Sequence, residues 1–178
     1  MMKKFIWISS VIIMIIFLSG CDFFGSSSDS ELDIMLNPGV DTIEVFSDFT
    51  NSGATAKYGD ETIQVLVVEE NLNTDLVGAY YIKYQAVKND LVAEAIRIVV
   101  VIDSTKPTMT LKAGIDTVSL GEAWIDSGVN VTDNYDQNIS ASVSGYVDIN
   151  IIGTYVLTYL AIDNAGNQCR IIRVVNVM

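Results

Sequence analysis

The sequence predicts an all-β protein with two tandem β-sandwich domains, and three observations lead there. Short apolar runs alternate with period two, turn residues punctuate them at intervals of roughly eight to twelve positions, and the chain repeats itself at a spacing of 75 residues. No stretch carries the 3.6-residue apolar periodicity of an amphipathic helix.

Before the repeat, residues 1–20 combine Lys3 and Lys4 with an apolar run from Phe5 to Leu18, followed by Leu18-Ser19-Gly20-Cys21. The run is 14 residues long, short of the roughly 20 needed to span a bilayer, and Ser9-Ser10 weakens it further as an uncleaved anchor. A cleaved secretory signal without lipid would not require a Cys directly after Leu-Ser-Gly. The segment resembles a bacterial lipoprotein signal. That resemblance implies cleavage before Cys21, a diacylglycerol on its thiol, and a protein lipid-anchored to the extracytoplasmic face of the cell membrane. Asp22 after the Cys resembles, in two-membrane cells, a signal for inner-membrane retention. Residues 21–31, with the run Asp22-Phe23-Phe24-Gly25-Ser26-Ser27-Ser28-Asp29-Ser30-Glu31, have no apolar periodicity and read as a flexible tether. Fully extended, such a stretch reaches about 35 Å.

The repeat then pairs residue i with i+75. Leu36, Gly39, Asp41 and Thr42 recur as Leu111, Gly114, Asp116 and Thr117, and Ser52-Gly53 as Ser127-Gly128. Gly78, Tyr80, Tyr84 and Ala86 recur as Gly153, Tyr155, Tyr159 and Ala161, Asn89 as Asn164, Ile96 as Ile171, and Val99-Val100 as Val174-Val175. Between Leu36 and Ile102, 15 of 67 positions are identical without a gap. The matches are turn glycines, turn aspartates and alternating aromatics, which set strand boundaries and register. Two homologous domains follow, 32–102 and 103–178, each near the lower size for independent folding.

In the second unit, Tyr155, Leu157, Tyr159 and Ala161 alternate with Val156, Thr158, Leu160 and Ile162, and Arg170 to Val177 is rich in β-branched residues. In the first, Val99-Val100-Val101-Ile102 reads as a buried strand passing into Asp103-Ser104-Thr105-Lys106-Pro107, a short polar joint, with the next strand starting near Pro107. Turns are expected at Asn37-Pro38-Gly39, Tyr58-Gly59-Asp60, Lys112-Ala113-Gly114, Asp133-Asn134-Tyr135-Asp136 and Asp163-Asn164-Ala165-Gly166-Asn167. Six or seven short strands per unit is the pattern of an immunoglobulin-like sandwich.

Composition narrows the function classes. The chain carries a net charge of −12 at pH 7, and the part from Cys21 onward has eight basic against 22 acidic side chains. Nucleic acid would be repelled rather than drawn to a basic face, and so would anionic headgroups, leaving membrane attachment to the lipid. Histidine is absent, which removes the usual general base and most zinc and iron ligand sets. No nucleophile motif or cofactor loop is present, so no catalytic residue and no cofactor-binding residue is assigned. With Cys21 acylated, Cys169 has no intrachain partner, and it reads as a small half-buried hydrophobe.

The second unit resembles a bacterial immunoglobulin-like repeat family of surface proteins, including the repeat named after a pesticidal crystal protein and related to hyalin-type repeats. Four linked stretches carry the likeness: Asp103-Ser104-Thr105-Lys106-Pro107 with Thr108-Met109-Thr110-Leu111; Asp126-Ser127-Gly128-Val129-Asn130-Val131-Thr132-Asp133-Asn134-Tyr135-Asp136; Gly153-Thr154-Tyr155-Val156-Leu157-Thr158-Tyr159; and Asp163-Asn164-Ala165-Gly166-Asn167. The first unit departs from it: Asn51 stands for the first Asp of Asp-Ser-Gly, Lys57-Tyr58-Gly59-Asp60 for the Asp-Asn turn, and Lys88-Asn89-Asp90-Leu91-Val92 for the last motif. The resemblance implies a non-catalytic cell-surface module that binds an extracellular protein or glycan, or serves as a spacer.

One constellation offers site chemistry. Asp126, Asp133, Asn134, Asp136 and Asp163 are expected near one end of the second sandwich, an oxygen-only set suited to calcium, although Asp and Asn also serve turns directly. Tyr80 and Tyr155 resemble the tyrosine corner of such sandwiches, and Phe49 and Trp124, 75 apart, are expected to pack rather than form a sugar platform.

Overall fold

The computed structural model describes residues 31–178, so Cys21 and the tether up to Ser30 lie outside the described residues. The described chain holds strands and no helix. In the first domain β1 (Leu32–Leu36), β3 (Ala54–Tyr58) and β4 (Glu61–Ile63) form one sheet. The opposing sheet has the order β2 (Thr42–Glu44), β7 (Leu91–Ile102), β6 (Gly78–Lys88), β5 (Val65–Glu70). In the second domain β8 (Thr108–Leu111) pairs β10 (Val129–Thr132), facing a sheet ordered β11 (Ala141–Ser144), β12 (Gly153–Ile162), β13 (Gln168–Val177), β9 (Thr117–Val118). All pairs are antiparallel except β2 with β7 and β9 with β13. No sheet mixes strands from 32–102 with strands from 108–177.

Strand alternation builds both cores. Ile82, Tyr84 and Ala86 on β6 and Val99 and Val101 on β7 point inward, as do Leu157, Tyr159 and Ala161 on β12 and Val175 and Val177 on β13. Their neighbours Ile96, Ile98, Ile172 and Val174 face outward. Phe49 packs against Ile82, Tyr84 and Val99. Trp124 packs on the second core and its indole N–H donates to the Ile115 carbonyl at 2.6 Å. Cys169 is a free thiol, half-buried against the same core.

Both tyrosine corners are formed. The Tyr80 hydroxyl donates to the Leu76 carbonyl and that of Tyr155 to the Ile151 carbonyl, each at 2.8 Å.

The gapless repeat holds as far as the last hairpin and then slips by one. Gly78 pairs with Val101 and Gly153 with Val177, so β13 matches β7 at a spacing of 76. The true equivalents are Ile96 and Ile172, Arg97 and Arg173, Val99 and Val175, Val101 and Val177. The expected pairing of Ile96 with Ile171 and of Val99-Val100 with Val174-Val175 is therefore out of register. The cause is loop length. In the first domain β6 turns into β7 through Asn89-Asp90, both at positive φ (48° and 65°), as a tight two-residue hairpin requires. In the second, Asp163–Asn167 spans the gap between Ile162 and Gln168. A one-residue shift exchanges the two faces of a strand, which is why the gapless comparison missed the most deeply buried cations among the described residues.

Those cations are Arg97 and Arg173, each 1% exposed. Arg173 donates through Nη1 to Asp116 at 2.6 Å and through Nη2 to the carbonyls of Lys112 (2.5 Å) and Gly128 (3.3 Å). Arg97 does the same with Asp41 and with the carbonyls of Asn37 (2.5 Å) and Gly53 (3.2 Å). Each guanidinium thus leaves one sheet and ties down the strand ends of the other. Gly39 and Gly114 are required beside it, because a Cβ on Gly39 would lie 2.5 Å from Ser52 Oγ and 3.1 Å from Arg97 Nη1, and one on Gly114 would strike Ser127 Oγ and lie 2.9 Å from Arg173 Nη1.

Arg173→Leu strands the two carbonyls and the Asp116 carboxylate. It is expected to lower the unfolding free energy of the second domain by about 3 kcal/mol, read by urea denaturation. Arg173→Lys is expected to recover little, since an ammonium does not reproduce the planar fork. Tyr155→Phe is expected to lower the melting midpoint; an unchanged midpoint would remove the structural role of the corner.

Candidate functional site

Three strands of the described chain run past their ends into acids. Val99, Val101 and Asp103 lie on one face of β7 and its extension; Val129, Val131 and Asp133 follow the same parity from β10; Leu157, Tyr159, Ala161 and Asp163 from β12. Alternation carries each carboxylate inward. Asp103 is 7% exposed and Asp163 6%, with Asp133 and Asp136 half-buried. One carboxylate oxygen from each of Asp103, Asp136 and Asp163 lies within 4.8 Å of the others.

The surrounding loops bond one oxygen of Asp103 and of Asp133, and both oxygens of Asp136 and of Asp163. Asp103 Oδ1 accepts the Thr105 N–H at 3.1 Å, and Asp133 Oδ1 accepts the N–H groups of Tyr135 and Asp136, both at 3.0 Å. Asp136 takes the Asn164 N–H at 2.7 Å and its side-chain amide at 2.6 Å. Asp163 takes the Asn167 N–H at 2.7 Å and its amide at 2.9 Å. That amide also donates to the Asp103 carbonyl at 3.2 Å. Two oxygens remain buried without a donor, Asp103 Oδ2 and Asp133 Oδ2. Burial pushes the Asp103 carboxyl above the usual range, and the charges of Asp133, Asp163 and Glu44 push the same way against the Thr105 hydrogen bond.

Of the five residues expected to converge, Asp136 and Asp163 do so, and Asp133 lies near enough for its charge to act on Asp103. Asp126 is engaged elsewhere. It accepts the Gly128 N–H at 2.9 Å and the Tyr159 hydroxyl at 2.5 Å, and lies 3.6 Å from Arg173 Nε. Asn51 takes the Tyr84 hydroxyl in the same way in the first domain. Asn134 is exposed in the 133–136 loop. Asp103 was missed, having been read as part of a polar joint, although its parity with Val99 and Val101 marks it as inward-facing.

The joint itself is bonded to the first domain. Glu44 accepts the Ser104 N–H at 2.9 Å, the Ser104 hydroxyl at 2.5 Å and the Thr105 hydroxyl at 2.7 Å, and these bonds, the Ser104 hydroxyl first, hold its carboxyl below the usual range. Tyr135, from the acid-bearing loop, packs at a tilt of 54° against Phe46 of the first domain, ring centroids 5.9 Å apart, and accepts the Val77 N–H at 3.2 Å.

A second feature opens on the flank of the second sandwich. In the first domain β4 pairs β3 and covers that edge. In the second, the equivalent residues, 136–138, form no strand, so β10 pairs only with β8 and β11 only with β12. Between the two free edges lies a groove of about 810 Å³ whose lining includes Thr110, Asn130, Thr132, Ser140 and Tyr159.

Because the Asp103 carboxyl is raised, the folded chain holds that proton more tightly than the unfolded chain, so stability falls as pH rises through the carboxylate range. Asp103→Asn keeps the acceptor for Thr105 and removes the charge. In buffer free of divalent cations it is expected to raise the melting temperature at pH 7, with the gain shrinking below pH ~4.

No curated protein matches the chain. Residues 109–177, which span the second sandwich, match the family described as bacterial surface protein, Ig-like domain, and this supports an Ig-like bacterial surface protein.

Proposed function

We propose that the protein is a lipid-anchored cell-surface protein whose second domain binds an extracellular protein or glycan through the groove between β10 and β11. The observation that carries this reading is the open edge itself: the homologous flank of the first domain is covered by β4, and the flank of the second is left open and lined by hydroxyl, amide and aliphatic groups. Such a surface offers the mixed polar and apolar contacts on which saccharides and extended peptides are recognised. This reading assigns no catalytic residue, because the sequence offers no histidine, no nucleophile motif and no cofactor loop. Anchoring is supported by Lys3, Lys4, the apolar run and Leu18-Ser19-Gly20-Cys21. Among the described residues no helix is long and apolar enough to cross a membrane.

A structural spacer is the second reading, and one observation favours it. Glu44 and Tyr135 bond the two domains to each other and to the joint, which limits bending between them.

A soluble fragment, Asp29 to Met178, on a glycan array and in a cell-surface pull-down distinguishes the two. A saturable partner is expected, with affinity falling at least about tenfold on Thr110→Trp. Repeated absence of any saturable partner favours the spacer. Cys21→Ala is expected to release folded protein from the membrane fraction, and full retention would overturn the anchor.

A further inference from the structure

We propose that Asp103, Asp136 and Asp163, with the Asp133 charge beside them, bind a hard divalent cation of the calcium class, which fastens the joint between the domains to the end of the second sandwich. Three carboxylate oxygens lie within 4.8 Å of one another. Oxygens that share one calcium ion at 2.3–2.6 Å stand at most about 5 Å apart, so the spacing fits a single ion. The donor set is all oxygen, with no sulfur or imidazole to favour zinc or copper.

A second observation points to a ligand independently of the clustering. Asp103 Oδ2 is buried on a residue only 7% exposed and has no donor, and Asp133 Oδ2 is likewise buried and unpartnered. A buried carboxylate oxygen without a partner is costly. Among the described residues, no lysine or arginine pairs with any of the four acids. The Thr105 and Tyr135 donors leave one oxygen of Asp103 and of Asp133 free, and the Asn164 and Asn167 donors fix the orientation of Asp136 and Asp163, as outer groups orient metal ligands.

The first domain supplies an internal control. At the 75-residue spacing, Asp136 corresponds to Glu61 and Asp163 to Lys88. Lys88 Nζ sits 2.7 Å from Glu61, so there a side-chain ammonium provides the positive charge. In the second domain both positions are acidic, and the compensating charge has to come from solution.

The test uses full-length protein in detergent, stripped of metal and titrated with calcium chloride. One saturable site is expected, with Kd on the order of 10⁻⁴–10⁻³ M as in extracellular calcium modules. The melting temperature is expected to rise by about 5 °C or more at about 10 mM calcium, and by less with magnesium. Asp103→Asn is expected to abolish the rise while melting, in EDTA, no lower than wild type, because it removes one of several repelling charges and keeps the acceptor for Thr105; Asp136→Asn is expected to abolish the rise as well, with a lower EDTA midpoint because one Asn164 hydrogen bond is lost. A purely structural role of Asp103 would lower the EDTA midpoint of its variant instead. Should a variant fail to fold, terbium luminescence sensitised by Tyr135 in the wild type, displaced by calcium, reports the same site. Absence of saturable heat and of any midpoint shift up to about 10 mM calcium, a shift that survives both substitutions, or terbium emission that calcium does not displace would each overturn the proposal.

Discussion

Arg97 and Arg173 carry a full positive charge into the interior of each sandwich, and the rest of each domain is arranged around that fact. A buried guanidinium is costly unless its donors are met; here both Nη groups are met, by the carbonyls of Asn37 and Gly53, or of Lys112 and Gly128, together with Asp41 or Asp116, while each Nε is left without a hydrogen bond. The acceptors belong to the opposite sheet and to the segment leading into the parallel edge strand, so one side chain sets both the spacing of the sheets and the entry of β2 or β9. The repeated Gly-x-Asp-Thr and Ser-Gly pairs follow from it. Glycine leaves room for the guanidinium, aspartate neutralises it, and the Ser-Gly turn presents a carbonyl to it.

This explains what was readable from residues alone and what was not. Period-two alternation in β6, β7, β12 and β13 and the turn residues between them specify a sandwich, because core-facing positions must be apolar. The repeat was visible for the same reason. The arginines stayed hidden behind a single extra residue in the Asp163–Asn167 loop, since a polar residue one position out of register looks like an ordinary solvent-facing one. A gapped comparison that asked which polar residues fall at inward parity would have found Arg97, Arg173 and Asp103 together.

Part of the acid cluster was legible too, through the density of Asp and Asn in two loops. Which of those residues meet depended on competition for partners. Asp126 is drawn to Tyr159 and Arg173, and Asp103 is drawn in from a stretch that reads as linker. Sequence spacing does not reveal such competition, whereas strand parity does. The same segment also decides the flank of the domain. Where the first domain closes β3 with the hairpin into β4, the second uses residues 133–136 to carry acids and leaves β10 without a neighbour on that side. Covering the edge and building the acid cluster are alternative uses of one stretch of chain.

The two parallel pairings have a mechanical consequence. β2 is bonded to the end of β7 that runs into the joint, and β9 to the end of β13 near the C-terminus. A domain pulled at its two ends would load these short parallel ladders along the strand direction, so that their hydrogen bonds bear the force together. An antiparallel hairpin pulled open at its mouth yields them one at a time. Each domain therefore places a short parallel clasp beside its buried arginine, in the geometry that loads hydrogen bonds in shear, whereas the long β6–β7 and β12–β13 hairpins supply most of the fold.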